Sequence, residues 1–177
     1  LNRIECMEAD AAQSHVPEEV TRDLITIRSQ AERISRVTRS ILTLSRGTVS
    51  MLKPLDLNCV ARTCVTMAGE RVAALSVRID AELAPELPPV MGDRDRLETV
   101  LLNVLNNAID AVTACGDHRV VTVRTAWMQL NGDEWVRVSV SDNGPGVPAA
   151  IVDRIFDPFF TTKPAGQGTG LGLFLSY

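Results

Sequence analysis

The sequence predicts an α+β protein in which a long helical segment precedes a two-layer sandwich of helices packed on one face of a sheet. Three observations lead to this prediction. Apolar residues recur every three or four positions over 17–46, a helix with one apolar face is predicted over 93–115, and apolar and polar residues alternate within 119–142. With 177 residues, the chain is long enough for one sizeable core and an appended segment.

Composition narrows the class of protein. The chain is 45% hydrophobic and 23% charged, and its net charge of -4 is spread along the sequence, which argues against a nucleic-acid or anionic-membrane surface. The four cysteines, at positions 6, 59, 64 and 115, form neither a CxxC nor a zinc pattern and are typical of small core residues in a reducing compartment. No apolar run approaches the roughly 20 residues of a membrane helix. We therefore expect a cytoplasmic fragment, and the sequence leaves open a membrane anchor elsewhere in the parent protein.

Residues 1–47 are predicted to be helical and to dimerise. The long helix over 17–46 follows a connector at 13–17 and the end of another helix at 1–12. Its apolar stripe consists of Val20, Leu24, Ile27, Ala31, Ile34, Val37, Ile41 and Leu44. About thirty residues make a rod of roughly 45 Å, too long for a small neighbouring domain to cover. We therefore expect a homodimeric four-helix bundle of two helical hairpins, with a lone amphipathic surface helix as the alternative.

A hinge predicted at 48–53 separates this segment from the sandwich, which is predicted over 54–177. The predicted elements of the sandwich are a strand at 55–57, a helix at 58–74, a strand at 76–83, a loop at 85–89, a helix at 93–115, strands at 119–129 and 134–142, and a short helix at 148–155. Asn131-Gly132 between the last two strands is a hairpin-turn signal.

The helix predicted over 93–115 carries the first candidate site. Its apolar face consists of Leu97, Leu101, Val104, Leu105, Ala108 and Val112. Nearly opposite lie Asn103, Asn107 and Asp110, although asparagine is a poor helix former and a solvated face would normally use Glu, Lys or Gln. Amide oxygens one turn apart could complete the shell of a Mg²⁺ whose other ligands are phosphates and water. An ordinary solvated face is the alternative.

The stretch 142–172 carries the second candidate site, because it is unusually rich in glycine. Asp142 continues the strand face of Val136, Val138 and Val140, which predicts a carboxylate at the edge of the core that needs a donor. That donor could be an adenine amine or, in a local Asx turn, the backbone. The later run GTGLGL leaves backbone N–H groups that could cradle an anion, yet it is neither a Walker A motif nor a Rossmann fingerprint. The stretch is interpreted as a phosphate loop with its lid, with plain turns as the alternative.

Four motifs occur in a characteristic order: LLNVLNNAIDA at 101–111, DNGPG at 142–146, FDPFFTTK at 156–163 and GTGLGL at 168–173. On these motifs, residues 54–177 resemble the catalytic ATP-binding domain of sensor histidine kinases, within the wider family of gyrase, HSP90 and MutL ATPases. The resemblance implies an α/β sandwich of the histidine-kinase ATPase (Bergerat) type, here C-terminally incomplete. Residues 1–47 resemble the dimerisation and histidine-phosphotransfer hairpin.

The resemblance implies ATP or ADP and Mg²⁺ as ligands and assigns roles to individual residues. Asn107 would bind Mg²⁺, and Asn103 would face the same metal and take part in catalysis with Lys163, which could reach the γ-phosphate. Asp142 would bind the adenine amine in a pocket shaped by Gly144 and Gly146. Further contacts come from the lid and the phosphate loop, namely Phe156, Phe159, Phe160, Gly168, Thr169, Gly170, Leu171 and Gly172.

The implied reaction is transfer of the ATP γ-phosphate to a histidine of the dimerisation domain and then to an aspartate of a response-regulator receiver domain. Three departures stand out. Neither His15 nor His118 lies in the phosphoacceptor pattern of His, an acidic residue and a later Pro, so the acceptor is expected upstream of Leu1. Asp110 stands where many relatives have a basic or aromatic residue. The chain ends at Tyr177, where relatives continue through further strands.

Two alternatives belong to other functional classes. An ATP-hydrolysing clamp of the gyrase type would use a glutamate four residues before the metal-binding asparagine, but Asn103 occupies that position and is a poor base. A non-catalytic or degenerate nucleotide-binding regulatory module is left open by the missing phosphoacceptor histidine.

Overall fold

The computed structural model describes residues 20–28, 30–31, 52–114, 116, 118–164 and 168–177. From residue 52 onwards its elements are β1 (Lys53–Leu55), α1 (Leu57–Ala74), β2 (Arg78–Glu82), β3 (Val90–Gly92), α2 (Arg94–Thr113), β4 (Val120–Leu130), β5 (Asp133–Asp142) and two 3-10 helices (Ala149–Arg154 and Phe174–Ser176).

Part of the predicted long helix is described. Residues 20–28 and 30–31 are helical, whereas the remainder of 17–46, the preceding 1–16 and most of the predicted hinge lie outside the described residues. The four-helix bundle therefore stays a prediction. Among the residues described, none of the helices combines the length and apolarity that a membrane crossing requires.

The chain divides into two compact units. Residues 48–156 and 172–177 form one unit, and residues 157–171 group with 1–47 in the other. The sandwich described next lies entirely in the first unit.

Strand β4 is the centre of a three-stranded mixed sheet. It pairs in parallel with β2 and antiparallel with β5, while β1 and β3 form a separate antiparallel pair. The turn between β4 and β5 has φ of 55° at Asn131 and 91° at Gly132. Positive φ at both positions is typical of the type I′ hairpin turn, and β4 pairs with β5 up to Leu130 and Asp133, so the predicted hairpin is confirmed.

Helices α1 and α2 pack on one face of this sheet. Alternate residues of β4, Val121, Val123 and Thr125, are buried beneath them. The core cluster consists of Leu57, Val60, Ala61, Cys64, Ala68, Val77, Leu101, Leu105, Ala108, Ile109, Val112, Val121 and Val123. Burial of one helix face and one sheet face against each other confirms the predicted two-layer α+β sandwich.

A buried polar group joins α1 to the sheet. The Thr125 hydroxyl donates to Asn58 Oδ1 at 2.7 Å and accepts from the Ala84 N–H at 2.9 Å. Asn58 Nδ2 donates to the Ala84 carbonyl oxygen at 2.8 Å. These bonds satisfy polar atoms that would otherwise be unpaired inside the core.

The structure differs from the predicted elements in three places. The strand expected at 55–57 lies at Lys53–Leu55, because the Asp56 carboxylate caps α1 by accepting from the Asn58 N–H at 2.8 Å. The short helix at 148–155 is a 3-10 helix over Ala149–Arg154. Strand β3 was not predicted at all.

Candidate functional site

Helix α2 presents the predicted asparagine face. The Asp93 carboxylate accepts from the Arg96 N–H at 3.2 Å and so fixes the start of the helix. The core side of α2 is buried through Leu101, Leu105, Ala108, Ile109 and Val112. Asn103, Asn107 and Asp110 are half-buried on the other side, as the spacing predicts.

Asn103 contacts the end of the glycine-rich run. Its Nδ2 donates to the Gly172 carbonyl oxygen at 3.1 Å, and the Ser176 hydroxyl donates to the same oxygen at 2.8 Å. Asn103 and Gly172, both predicted site residues, are therefore brought together. Since this bond uses the amide nitrogen, the predicted metal-binding role of Asn103 would depend on Oδ1.

Asp142 is the last residue of β5 and forms a local turn. Its Oδ1 accepts from the Gly144 N–H at 2.9 Å, which is the Asx-turn arrangement. The expectation of a carboxylate at the core edge is wrong, because β5 ends here and Asp142 is exposed. A carboxylate has about four acceptor positions, so one backbone bond leaves capacity for an external donor such as an amine.

Asn143 holds this turn in place and was missed as a site residue. Its Oδ1 accepts from the Val120 N–H at 2.9 Å, and its Nδ2 donates to the His118 carbonyl oxygen at 2.7 Å. Its backbone N–H also donates to the Val120 carbonyl oxygen at 3.3 Å. The side chain thus extends the pairing of β5 with β4 beyond the strand. The only sequence signal was an asparagine directly after a strand.

Gly144 packs the turn against α2. A Cβ added at Gly144 would lie 2.9 Å from Ala111 Cβ and 3.0 Å from the Ala111 carbonyl carbon. Ala111 lies one helical turn after Asn107, so the Asp142 turn rests against the part of α2 that carries the asparagines. Gly146 follows with φ of 73°, a conformation that favours glycine. Asp142, Gly144 and the α2 face are thereby held in one compact unit.

Arg71, which the sequence analysis did not single out, places a positive charge beside the asparagine face of α2. The guanidinium donates to Asn106 Oδ1 at 2.6 Å and forms an ion pair with Asp110. It lies in the last turn of α1, whereas both acceptors lie on α2.

The amide oxygens on α2 suit a hard cation that arrives already bound to a phosphate ligand. In the part of the chain that the structure describes, no three His, Cys, Asp or Glu side chains are grouped so that they could hold a metal ion. Mg²⁺ would therefore depend on amide oxygens such as those of Asn103 and Asn107, completed by phosphate oxygens and water. Oxygen ligands with several retained waters are the usual coordination of this ion.

Within residues 157–171, the phenylalanine motif folds back on the glycine motif. Phe159 has φ of 66° and its N–H donates to the Gly170 carbonyl oxygen at 2.9 Å. A Cβ at Gly170 would lie 2.2 Å from the Phe159 carbonyl carbon, and one at Gly168 would lie 2.3 Å from Thr161 Oγ1. At Gly170, where the neighbour is backbone and φ is 65°, only glycine permits this approach.

The remaining predicted residues of this loop are also described. The Lys163 N–H donates to Thr161 Oγ1 at 3.2 Å, and the Leu171 N–H donates to Thr169 Oγ1 at 3.4 Å. Leu171 is buried and Phe160 is half-buried. In the other unit, the Phe156 ring is tilted against Tyr177, with centroids 5.3 Å apart.

Comparison with known proteins gives a consistent set of similarities. Residues 92–177 match the family model described as histidine kinase-, DNA gyrase B-, and HSP90-like ATPase. The chain is 35% identical over 152 residues to the signal transduction histidine-protein kinase AtoS of Escherichia coli strain K12. This alignment covers 85% of the chain and 24% of AtoS, so the chain spans about a quarter of that relative's length.

Solved structures of two histidine kinases are similar to the chain. The nucleotide-free catalytic domain of ThkA has a TM-score of 0.58 at 33% identity, covering 70% of this chain and 76% of that one. ThkA in complex with the response regulator protein TrrA has a TM-score of 0.65 at 27% identity, covering 90% and 46%. Full-length ShkA in complex with AMPPNP has a TM-score of 0.70 at 25% identity, covering 96% and 35%.

Proposed function

The chain belongs to the histidine kinase-, DNA gyrase B- and HSP90-like ATPases as a sensor histidine kinase ATPase core, and we propose that it binds ATP and provides the γ-phosphate that is transferred to a histidine. The phosphoryl group would then pass to an aspartate of a response regulator. The whole reaction belongs to the parent protein, including the dimerisation helices that we expect to carry the acceptor.

The observation that carries this proposal is the packing of the Asp142 turn on α2. Gly144 lies against Ala111, and Asn143 ties the turn to the start of β4. An exposed carboxylate with spare acceptor capacity is therefore placed against the helix that carries the half-buried amides of Asn103 and Asn107. An ATP site requires an acceptor for the adenine amine at one end. At the other end it requires oxygen ligands for the cation that the phosphates bind.

The proposed roles follow from this arrangement. Asp142 accepts from the adenine amine, with Gly144 and Gly146 allowing the base to approach the backbone. Asn107 and Asn103 provide oxygen ligands for Mg²⁺, which when bound neutralises phosphate charge. Lys163 and the backbone N–H groups of 168–172 are proposed to contact the phosphates. Phosphoryl transfer requires little covalent chemistry from the protein, so positioning and charge neutralisation are the main contributions of these residues.

Two partners complete the proposal. The similarity to ThkA, whose structure includes the response regulator TrrA, supports a response-regulator receiver domain as the final phosphoryl acceptor. The apolar stripe over 17–46 supports homodimerisation through residues 1–47.

Calorimetric titration with ATP, with and without Mg²⁺, tests the proposed site. We expect Asp142→Ala to weaken ATP and adenosine binding alike, by about tenfold or more, because the adenine amine loses a charged acceptor. Asn107→Ala should remove the gain in affinity that Mg²⁺ provides while leaving adenosine binding unchanged. Asp80→Ala is the matched control, because Asp80 pairs with Arg78 on β2 and is not part of the proposed site.

Two results would contradict the proposal. A folded wild-type protein that binds no adenine nucleotide would exclude the function for this chain. Normal ATP binding by Asp142→Ala would exclude the assigned adenine contact while leaving the family membership intact.

A further inference from the structure

Arg71 is a charged residue that none of the four family-like motifs includes, yet it contacts the helix that carries the proposed metal ligands. Its guanidinium bridges Asn106 and Asp110, which lie one turn apart on α2. The ion pair is partly shielded, with side-chain exposures of 41% for Arg71 and 29% for Asp110. The two contacts with α2 therefore give the arginine a defined position, although its side chain is still partly exposed.

Asp110 places a negative charge where a phosphate-binding site would be harmed by one. It follows Asn107 by three residues on the same helix, and residues at this spacing have Cβ atoms about 5–6 Å apart. A phosphate bound at Asn107 would therefore lie within about one Debye length of the Asp110 carboxylate, which is about 8 Å at physiological ionic strength, so salt would screen their repulsion only in part. An unpaired Asp110 carboxylate would repel a polyphosphate bound at Asn107.

We propose that Arg71 is a positioning residue that neutralises Asp110 and thereby permits a nucleoside polyphosphate to bind beside Asn107. The proposal rests on the function proposed above and extends it to a residue outside the motifs. Arg71 contacts no phosphate in this mechanism; it acts through Asp110. The bond to Asn106 fixes the guanidinium, because a planar group held by two acceptors loses its freedom to rotate away.

The test is a double-mutant cycle read by calorimetry with Mg²⁺–ATP and with adenosine, which lacks phosphates. Arg71→Met should weaken Mg²⁺–ATP binding by about tenfold, equivalent to about 1.4 kcal/mol, and leave adenosine binding within about twofold. Asp110→Asn should bind Mg²⁺–ATP as tightly as the wild type or more tightly. The double variant Arg71→Met/Asp110→Asn should return to within about threefold of the wild type, since neither charge remains.

A matched control separates this effect from a change in net charge. Arg62 also lies on α1, but its ion pair is with Asp56 at 3.5 Å, before the helix, and not with α2. Arg62→Met should therefore leave the ratio of ATP to adenosine affinity unchanged. Thermal unfolding of each variant reports any loss of stability separately from the affinity ratio.

Several outcomes would overturn the proposal. A double variant as weak as Arg71→Met would mean that Arg71 contacts the phosphates itself. Equal losses for ATP and adenosine would indicate a purely structural role, and no loss in Arg71→Met would exclude any role in binding. If the wild type bound adenosine but not ATP, both the proposed function and the role of Arg71 would fail. If the wild type bound ATP normally and none of the variants differed from it, only the role of Arg71 would be excluded.

Discussion

Gly144 is a residue at which a single added methyl group would disturb the proposed adenine contact directly. Its Cβ would lie within 3.0 Å of both Ala111 atoms and 2.8 Å from Asp142 Oδ1. We expect Gly144→Ala to displace the Asp142 turn and to weaken nucleotide binding by about tenfold or more, because about 1–3 kcal/mol of strain and lost hydrogen bonding falls on the turn.

The matched control for Gly144→Ala is Gly69→Ala. Nothing lies within 4 Å of the Cβ that Gly69 would gain on α1, so the helix should be stabilised by about 0.5–1 kcal/mol and nucleotide affinity should not change. Calorimetry and urea unfolding measure the two effects. Unchanged binding in Gly144→Ala would contradict the role given to this contact.

Cys64 makes stability depend on pH. The side chain is fully buried, and burial, reinforced by the charge of Glu98, raises the pKa of the thiol from 9.0 to about 11. The unfolded chain loses this proton at lower pH than the folded chain does. The contribution of the protonated Cys64 thiol to the free energy of unfolding is therefore fully present below about pH 9 and is lost as the pH rises towards about 11.

The expected loss is on the order of 2 kcal/mol of unfolding free energy across that interval. Urea unfolding at about pH 8 and about pH 10.5 measures it, with Cys64→Ala as the reference for all other titrating groups. The wild type should lose more stability than the variant between the two pH values. Parallel losses in the two proteins would show that the thiol is not responsible.

At the residue scale, local patterns predicted the asparagine face and offered the Asx turn at Asp142 as one of two alternatives. Arg71 and Asn143 escaped prediction for a physical reason. The Arg71 partners lie 35 and 39 residues away along the chain, and the His118 carbonyl bound by Asn143 lies 25 residues away. A side chain with a distant partner leaves no periodicity in its own neighbourhood.

Between elements, Thr125 connects the central strand to α1. Replacing its hydroxyl would leave Asn58 Oδ1 and the Ala84 N–H without their partner inside the core. We expect Thr125→Val to lower the free energy of unfolding by about 1–3 kcal/mol, although valine suits a strand. Thr122→Val, on the half-buried opposite face of β4, should change it by no more than about 0.5 kcal/mol. Equal effects at both positions would refute the importance of the buried hydroxyl; urea unfolding is the measurement.

Elements long enough for their apolar pattern to repeat several times were predicted at the right place, and the shortest strands were not. Helix α2 has 20 residues and the β4 and β5 strands have 11 and 10, so their apolar patterns repeat several times. Strands β1 and β3 have three residues each, which is less than two periods of alternation. Pairing between them, not their own sequences, defines these strands.

At the scale of the whole molecule, every residue of the core cluster lies between positions 57 and 123. Replacing residues 157–171 with a Gly/Ser linker of equal length should therefore preserve cooperative unfolding of the sandwich, since loops of this kind contribute little to a core. Nucleotide binding should be lost, because the proposed phosphate contacts disappear. Thermal unfolding and calorimetry provide the two readouts, and a linker variant that still binds ATP tightly would contradict the role proposed for the loop.

The order of the sandwich in sequence was predictable, and so was its two-layer character. The sequence predicted a division near residue 48, but not that residues 157–171 would be grouped with the N-terminal residues while 172–177 return to the sandwich. Such grouping depends on contacts between distant segments.

The parallel pairing of β2 with β4 has a consequence for synthesis on the ribosome. Arg78 pairs with Val120, so the centre of the sheet cannot form until α2 and the start of β4 have emerged. At about 5–20 residues per second, the apolar face of α1 waits several seconds for Val121 and Val123. During this interval the nascent chain offers a hydrophobic helix to chaperones, and translation speed through 75–123 sets how long that exposure lasts.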